Sequence, residues 1–404
     1  MKNDWNTAQQ IGFRFTFLFF GQLIFVDIFG RILPFISQFL HWLVPLFSKT
    51  FGIVPHDIVT FENGSGDTTY NWVLILLILI FAIIGSVIWL AISGKYFNYD
   101  RLNYWFMVAL RFYVATALIE YGMIKIWKMQ FPYPSPYRLM QNYGESSPMG
   151  LAWTFLGFSK GYNIFMGIAE LFAALLFWRR TVTLGAIITL MTTANVMAIN
   201  YFYDVPVKIF STTLFVTTAY ILFFNLKDLL LFFFTQNPVT LKVQKAYRFS
   251  KKYLNVALVS VKYLIIFFSL FVTAYFTNSA YNQDFNTPKH ALFGYYEKSF
   301  SSNDSTNSWS KINFVYNDLL RAYDSNGTTN TFSVEIDSLK RQIKLTNVVS
   351  KDSTYQFSYK MHQDTLRLSE INKNKELLFL RKNTSNSRLM TRGFHWINEK
   401  PYNF

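Results

Sequence analysis

The amino-acid sequence predicts an α-helical membrane bundle of about seven transmembrane helices, followed by a small antiparallel β domain. Of the 404 residues, 51% are hydrophobic and only 15% charged, with 44 Phe and 25 Tyr. That is more apolar surface than one soluble core of this length can bury. Long apolar runs recur as far as residue 275, and from residue 282 the composition turns to Ser, Asn, Thr, Asp and Lys. The later stretch alternates apolar and polar residues between turns, which is the period of a half-buried strand.

The first span covers residues 11–29, with Arg14 and Asp27 near its ends and able to snorkel to water. Residues 31–47 are apolar and aromatic but carry Pro34 and Pro45, so they suit an interfacial or re-entrant segment better than a straight span. Residues 72–93 form the cleanest span, long enough at about 1.5 Å per residue to cross a hydrocarbon core of roughly 30 Å. Further spans are expected at 104–127, 151–178, 182–201, 209–234 and 253–275. Between the third and fourth, residues 129–147 are too rich in proline to be helical, and form either a lid over a pocket or an ordinary interfacial loop.

Charge supplies the orientation. The loops with Lys95 and Arg101, with Arg179 and Arg180, and with Lys242, Lys245, Arg248, Lys251 and Lys252 all fall on one side, together with the N-terminus. By the positive-inside rule that side is cytoplasmic, and seven spans then place the β domain outside. The formal charge of +15 is spread along the chain at the ends of apolar runs, which indicates anchoring to the lipid bilayer and no nucleic acid partner. The chain has no cysteine, which excludes thiol nucleophiles, thiolate metal sites and Cys-ligated clusters. No histidine falls in the middle of a span, and the sequence shows no metal spacing, phosphate loop or dinucleotide fingerprint. In the β domain, strands are expected at 331–337, 341–346, 355–360, 365–369 and 376–381, closing into a small barrel or sandwich. The aromatic run 393–398 is expected in that domain's own core, with a return to the membrane surface as the alternative.

The residues that could carry chemistry are the ionisable ones among the spans, because each costs at least about 2.5–3.5 kcal/mol near mid-bilayer unless it is partnered. In the third span these are Arg111, Glu120 and Lys125. Glu120 is expected to lie deep, and Lys125 to snorkel. In the fourth span Lys160, Asn163, Gly167, Glu170 and Ala174 recur at three- and four-residue spacings and make one small, polar, inward stripe. A Glu120–Lys160 contact across the two helices is expected, either as a proton-handling pair or as a charge pair that holds the bundle together. Thr189, Thr193 and Asn200 share a face of the fifth span, with hydroxyls expected to bond back to their own helix. Asn200, Tyr201, Asp204 and Lys208 cluster at its outer mouth.

Several of these residues lie in a familiar pattern. Tyr121-Gly-Met-Ile-Lys125 leading to Met129-Gln-Phe-Pro, Gly161-Tyr-Asn-Ile-Phe-Met-Gly167 with Glu170, and Arg179-Arg180 before the Thr-rich span resemble the DoxX family of four-helix membrane proteins. The ending Arg392-Gly-Phe-His-Trp-Ile-Asn-Glu399 with Pro401-Tyr-Asn resembles the close of long bacterial DoxX-like proteins with a soluble tail. With the spans and charges above, the chain divides into an N-terminal transmembrane region with an interfacial or re-entrant segment at 1–102, a core at 103–236 that the resemblance makes a DoxX-like four-helix bundle, a basic cytoplasmic loop and last transmembrane helix at 237–280, and a periplasmic β-rich domain at 281–404. The resemblance also implies a multi-pass protein of the bacterial inner membrane and a subunit of a quinone-linked oxidoreductase. On that reading a quinone is the cofactor, with Glu120 and Lys160 exchanging protons at its oxygens. Arg111, Lys125, Asn163, Glu170, Asn200, Tyr201, Asp204 and Lys208 line the site, and a membrane or periplasmic protein is the partner. The alternative is a non-enzymatic envelope scaffold or lipid- or small-molecule-binding protein whose β domain docks a partner.

Overall fold

The computed structural model describes residues 5–60, 64–92, 98–235, 238–241, 243–285, 289–299, 309–316, 318–326, 328–350, 353–371 and 376–401. Lys95 and Lys242 of the basic loops lie outside the described residues. The chain divides into two compact units. The first holds residues 1–130 and 160–278, and the second holds residues 131–159 and 279–404.

The first unit is a multi-pass membrane bundle, with seven helices among the described residues long and apolar enough to cross a bilayer. They are α1 (Thr7–Ile32), α3 (Thr69–Ile92), α4 (Tyr99–Ile126), α7 (Lys160–Leu171) with its 3-10 continuation Phe172–Phe177, α8 (Val182–Phe202), α9 (Lys208–Thr235), and α10 (Lys252–Phe267) running through a π turn into α11 (Thr273–Phe285). α2 (Pro34–Phe51) is helical but not among the seven. Pro34 opens it, where a missing N–H costs nothing, and Gly52 closes it in the left-handed conformation at φ 60°. α4 is the central helix: 56% of its apolar stretch is buried, against 11–33% for the others. It packs on α1, α7, α9 and the 268–272 turn.

Two short helices precede the fourth span and belong to the second unit, α5 (Pro136–Met140) and α6 (Pro148–Phe158). The expected 151–178 span is therefore corrected. Ser159 adopts an extended conformation (φ −99°, ψ 122°), so α6 stops and a new helix starts at Lys160. The proline-rich stretch packs on the β domain, where Tyr137 of α5 stacks on Tyr323 with ring centres 4.4 Å apart and planes 3° from parallel.

The β domain is a closed eight-stranded antiparallel barrel in which every strand pairs with its sequence neighbour and β1 closes on β8. The strands are β1 (Gly294–Lys298), β2 (Trp309–Tyr316), β3 (Leu319–Asp324), β4 (Thr329–Asp337), β5 (Gln342–Asn347), β6 (Thr354–His362), β7 (Thr365–Glu370) and β8 (Glu376–Arg381). Alternate residues turn inward, among them Ile312 and Phe314, Leu320 and Ala322, Ile343 and Leu345, and Leu377 and Phe379. The closing seam is polar: Arg381 Nε donates to the Tyr296 hydroxyl (3.0 Å), which donates to Leu292 O (3.0 Å), and Lys382 pairs with Glu297 at 3.1 Å. After β8 comes a single helical turn, α12 (Arg388–Thr391). The aromatic run that follows is not in the barrel core as expected. Trp396 is 92% exposed, and Phe394 and Ile397 are exposed beside it. Fourteen strand residues and Leu292 already pack the core, so the run has no place there.

Candidate functional site

The polar centre of the bundle lies between α4 and α7. Lys125 Nζ donates to both carboxylate oxygens of Glu170, at 2.6 and 2.7 Å, and the two residues are 4% and 2% exposed. Gly122, one turn before Lys125, faces Gly167, one turn before Glu170. A Cβ on Gly122 would come within 2.8 Å of Gly167 O, and one on Gly167 within 2.6 Å of Gly122 O. The helices are therefore in backbone contact, the close approach that small residues permit in a membrane. Side chains on a helix lean toward its N-terminus, so in this antiparallel pair Lys125 and Glu170 both swing back over the glycines and meet.

The expected Glu120–Lys160 contact is not made. Glu120 lies on the exposed side of α4, and Lys160 is the exposed first residue of α7. The break at Ser159 accounts for the difference, because starting the helix at Lys160 moves that residue to the end of the span and brings Glu170 to the depth of Lys125. Lys125 does not snorkel either, since Glu170 holds it in the core. Asn163 is fully buried on the same stripe. Lys128 follows at φ 57°, and burial, then the neighbouring Lys160 charge, bring its ammonium down to about 8.

A second polar group adjoins the first through Tyr121. Arg31 donates to Asp27 at 2.6 Å within α1, and the Tyr113 hydroxyl of α4 donates to the other Asp27 oxygen at 3.0 Å. The Tyr121 ring lies 5.5 Å from Lys125 Nζ and 5.7 Å from the Phe210 ring of α9. Sequence reasoning missed Asp27, Arg31, Tyr113 and Tyr121 as one group. The i,i+4 spacing of Asp27 and Arg31 was the available signal. Arg14 does not snorkel as expected; it is buried, and its Nε donates to the Tyr99 hydroxyl at 2.9 Å.

The other expected site residues lie elsewhere. Arg111 is fourteen residues before Lys125, about 21 Å along the helix axis, and its Nε donates to Leu176 O at 2.9 Å. Asn200, Tyr201, Asp204 and Lys208 build the α8–α9 turn. Asn200 Nδ2 donates to Val207 O (3.3 Å), and Lys208 Nζ to Asp204 (2.8 Å). Asp67 caps α9 from afar, accepting the backbone N–H groups of Lys208 (2.7 Å) and Ile209 (3.0 Å). Thr193 bonds back to Thr189 O at 2.8 Å, as expected. No group of metal-ligating side chains occurs among the described residues.

No family model matches the chain, and no solved structure matches it. Over 130 residues it is 33% identical to the uncharacterized protein YwoB of Bacillus subtilis (strain 168), a match that covers 32% of this chain and 82% of that protein.

Proposed function

Since the chain belongs to the YwoB family, whose Bacillus subtilis member lends it no activity, we propose that the protein is a membrane subunit of a quinone-linked oxidoreductase. The supporting observation is the buried Lys125–Glu170 pair with the Tyr121 ring 5.5 Å from Lys125 Nζ and exposed Glu120 next to that tyrosine in the chain. A quinone head carries two carbonyl oxygens that accept hydrogen bonds, and its reduction takes up two protons with two electrons. Arg31 and Tyr121 offer donors, Glu120 and the pair behind it handle protons, and the apolar tail rests on the exposed aromatic flank of the helices. A redox protein partner supplies the two electrons. The DoxX resemblance supports the same reading, with the bacterial inner membrane as its place and the barrel on the periplasmic side.

The test is quinone content and turnover of the detergent-purified protein with its co-purifying partners. Wild type retains quinone, and Glu120→Gln and Tyr121→Phe each lower turnover about a hundredfold or more, the scale of one positioned proton-transfer group. Absence of quinone from wild type, together with unchanged turnover in both variants, refutes the reading. A second reading is favoured by the backbone contact at Gly122 and Gly167. There the ion pair is a clamp in a non-enzymatic envelope scaffold or lipid-binding protein whose barrel docks a partner. In that case Glu120→Gln is silent and only the Lys125–Glu170 variants have an effect.

A further inference from the structure

Arg111 belongs to a different neighbourhood from the Lys125–Glu170 pair. It is 3% exposed, and its Nε holds Leu176 O at the end of the 3-10 turn. Its four remaining N–H donors find no protein acceptor among the described residues. Arg179 lies just beyond that turn and is tied by its Nη1 to Gln244 O at 3.2 Å. Lys262 of α10 sits 5.6 Å from the ring centre of Trp178. Arg111 through Leu176 O, Lys262 beside the Trp178 ring and Arg179 next to that tryptophan thus all gather at the end of the 3-10 turn. Among the described residues none of the three is paired with a carboxylate. Nearby aromatic side chains frame the group. Tyr247 stands 6.1 Å from Tyr104 and 5.8 Å from Trp105, with the Arg101 guanidinium 5.1 Å from its ring centre.

We propose that Arg111, Arg179 and Lys262 form a binding site for a phosphate group, carried by an anionic phospholipid or by a soluble phosphate-bearing molecule. Two guanidinium groups and an ammonium, from α4, the turn after Phe177 and α10, are held around the end of the 3-10 turn through Leu176 O, Gln244 O and Trp178, and supply the planar donor forks and point charge that phosphate oxygens take up. The Trp and Tyr frame is the kind found at a membrane interface. An anion here neutralises a buried arginine and ties α10 to the bundle core.

The experiment uses the full chain in neutral detergent and measures binding of phosphatidylglycerol, phosphatidylcholine and inorganic phosphate by native mass spectrometry and calorimetry. Wild type binds phosphatidylglycerol in preference to phosphatidylcholine, or binds phosphate. The double variant Arg179→Gln, Lys262→Gln, two partly or fully exposed positions, weakens that binding about tenfold or more, given a charge contribution of about fivefold per residue near anionic headgroups. The control Lys245→Gln, Arg248→Gln removes the same charge from the neighbouring loop and leaves binding unchanged. Lipid binding that excess phosphate does not displace assigns the site to a headgroup, and displacement or direct phosphate binding assigns it to a soluble molecule. The proposal is overturned if wild type shows no preference and no phosphate binding, if the first double variant binds as wild type, or if both double variants weaken binding equally.

Discussion

The bundle and the barrel bury opposite kinds of side chain. Five charged residues (Arg14, Arg111, Lys125, Lys128 and Glu170) are buried in the bundle unit, whereas among the described residues the barrel unit buries no charge, and only Asn313 stands beside its apolar and tyrosine core. The solvent explains the contrast. In water, apolar burial drives the barrel together, and closure of β1 on β8 removes the open edges that would invite aggregation. In lipid, an apolar helix gains little from meeting another apolar helix, so partners are chosen by backbone contact at small residues and by polar groups that must be satisfied. α4 and α7 use both means within one turn of helix.

The most damaging single change to the bundle is predicted to be Glu170→Leu, which strands Lys125 and costs about 3–5 kcal/mol. Adding Lys125→Met recovers most of that loss, because an apolar pair of similar size replaces a desolvated ion pair. Unfolding titrations of the two variants check this, and the contrast between the units collapses if the double variant is no better than the single one. Next comes the barrel, where Leu368→Ala opens a cavity at a position 1% exposed and costs about 2–5 kcal/mol, read from barrel-specific near-UV signals. Gly167→Ala is smaller, about 1–3 kcal/mol, because the added methyl is driven into Gly122 O and forces the helices apart.

The smallest effect is one of pH and separates the units without a mutation. Burial, then Tyr137, raises the Tyr323 phenol from its ordinary 10.0 to about 12. The unfolded chain therefore gives up this proton from about pH 10, while the folded barrel keeps it until about 12. The stability contributed by Tyr323 is intact below pH 10 and is lost as pH rises toward 12. Spectrophotometric titration at 295 nm, followed with barrel unfolding, checks the direction.

Membrane spans were legible because they depend on local composition, as in residues 72–93, and β4 to β8 were legible because Ile343, Leu345, Leu366, Leu368, Leu377 and Phe379 alternate cleanly. β1, with Tyr295 and Tyr296 adjacent and both buried, breaks that alternation: one packs inward and the other beneath Tyr137. Choosing a barrel over a sandwich required the β1–β8 pairing, which joins residues more than eighty positions apart. At the site, the stripe from Asn163 to Glu170 was readable from its spacing, but its partner was not. The depth assigned to every residue after 151 depended on a helix start that Ser159 moves to Lys160. Glu120 was placed deep by counting along α4, and its exposure is a matter of helix phase relative to α1 and α7, which only packing decides.

The central claim is that a lipid-soluble carrier places its head beside Tyr121, between Glu120 and the Lys125–Glu170 pair. Photolabelling of the purified protein with an azidoquinone, followed by peptide mapping, tests it most directly. The account predicts labelling concentrated on residues 113–126, suppressed by excess unlabelled quinone and lost in Glu120→Gln. Labelling scattered over all the exposed helix faces, insensitive to competitor, would contradict it.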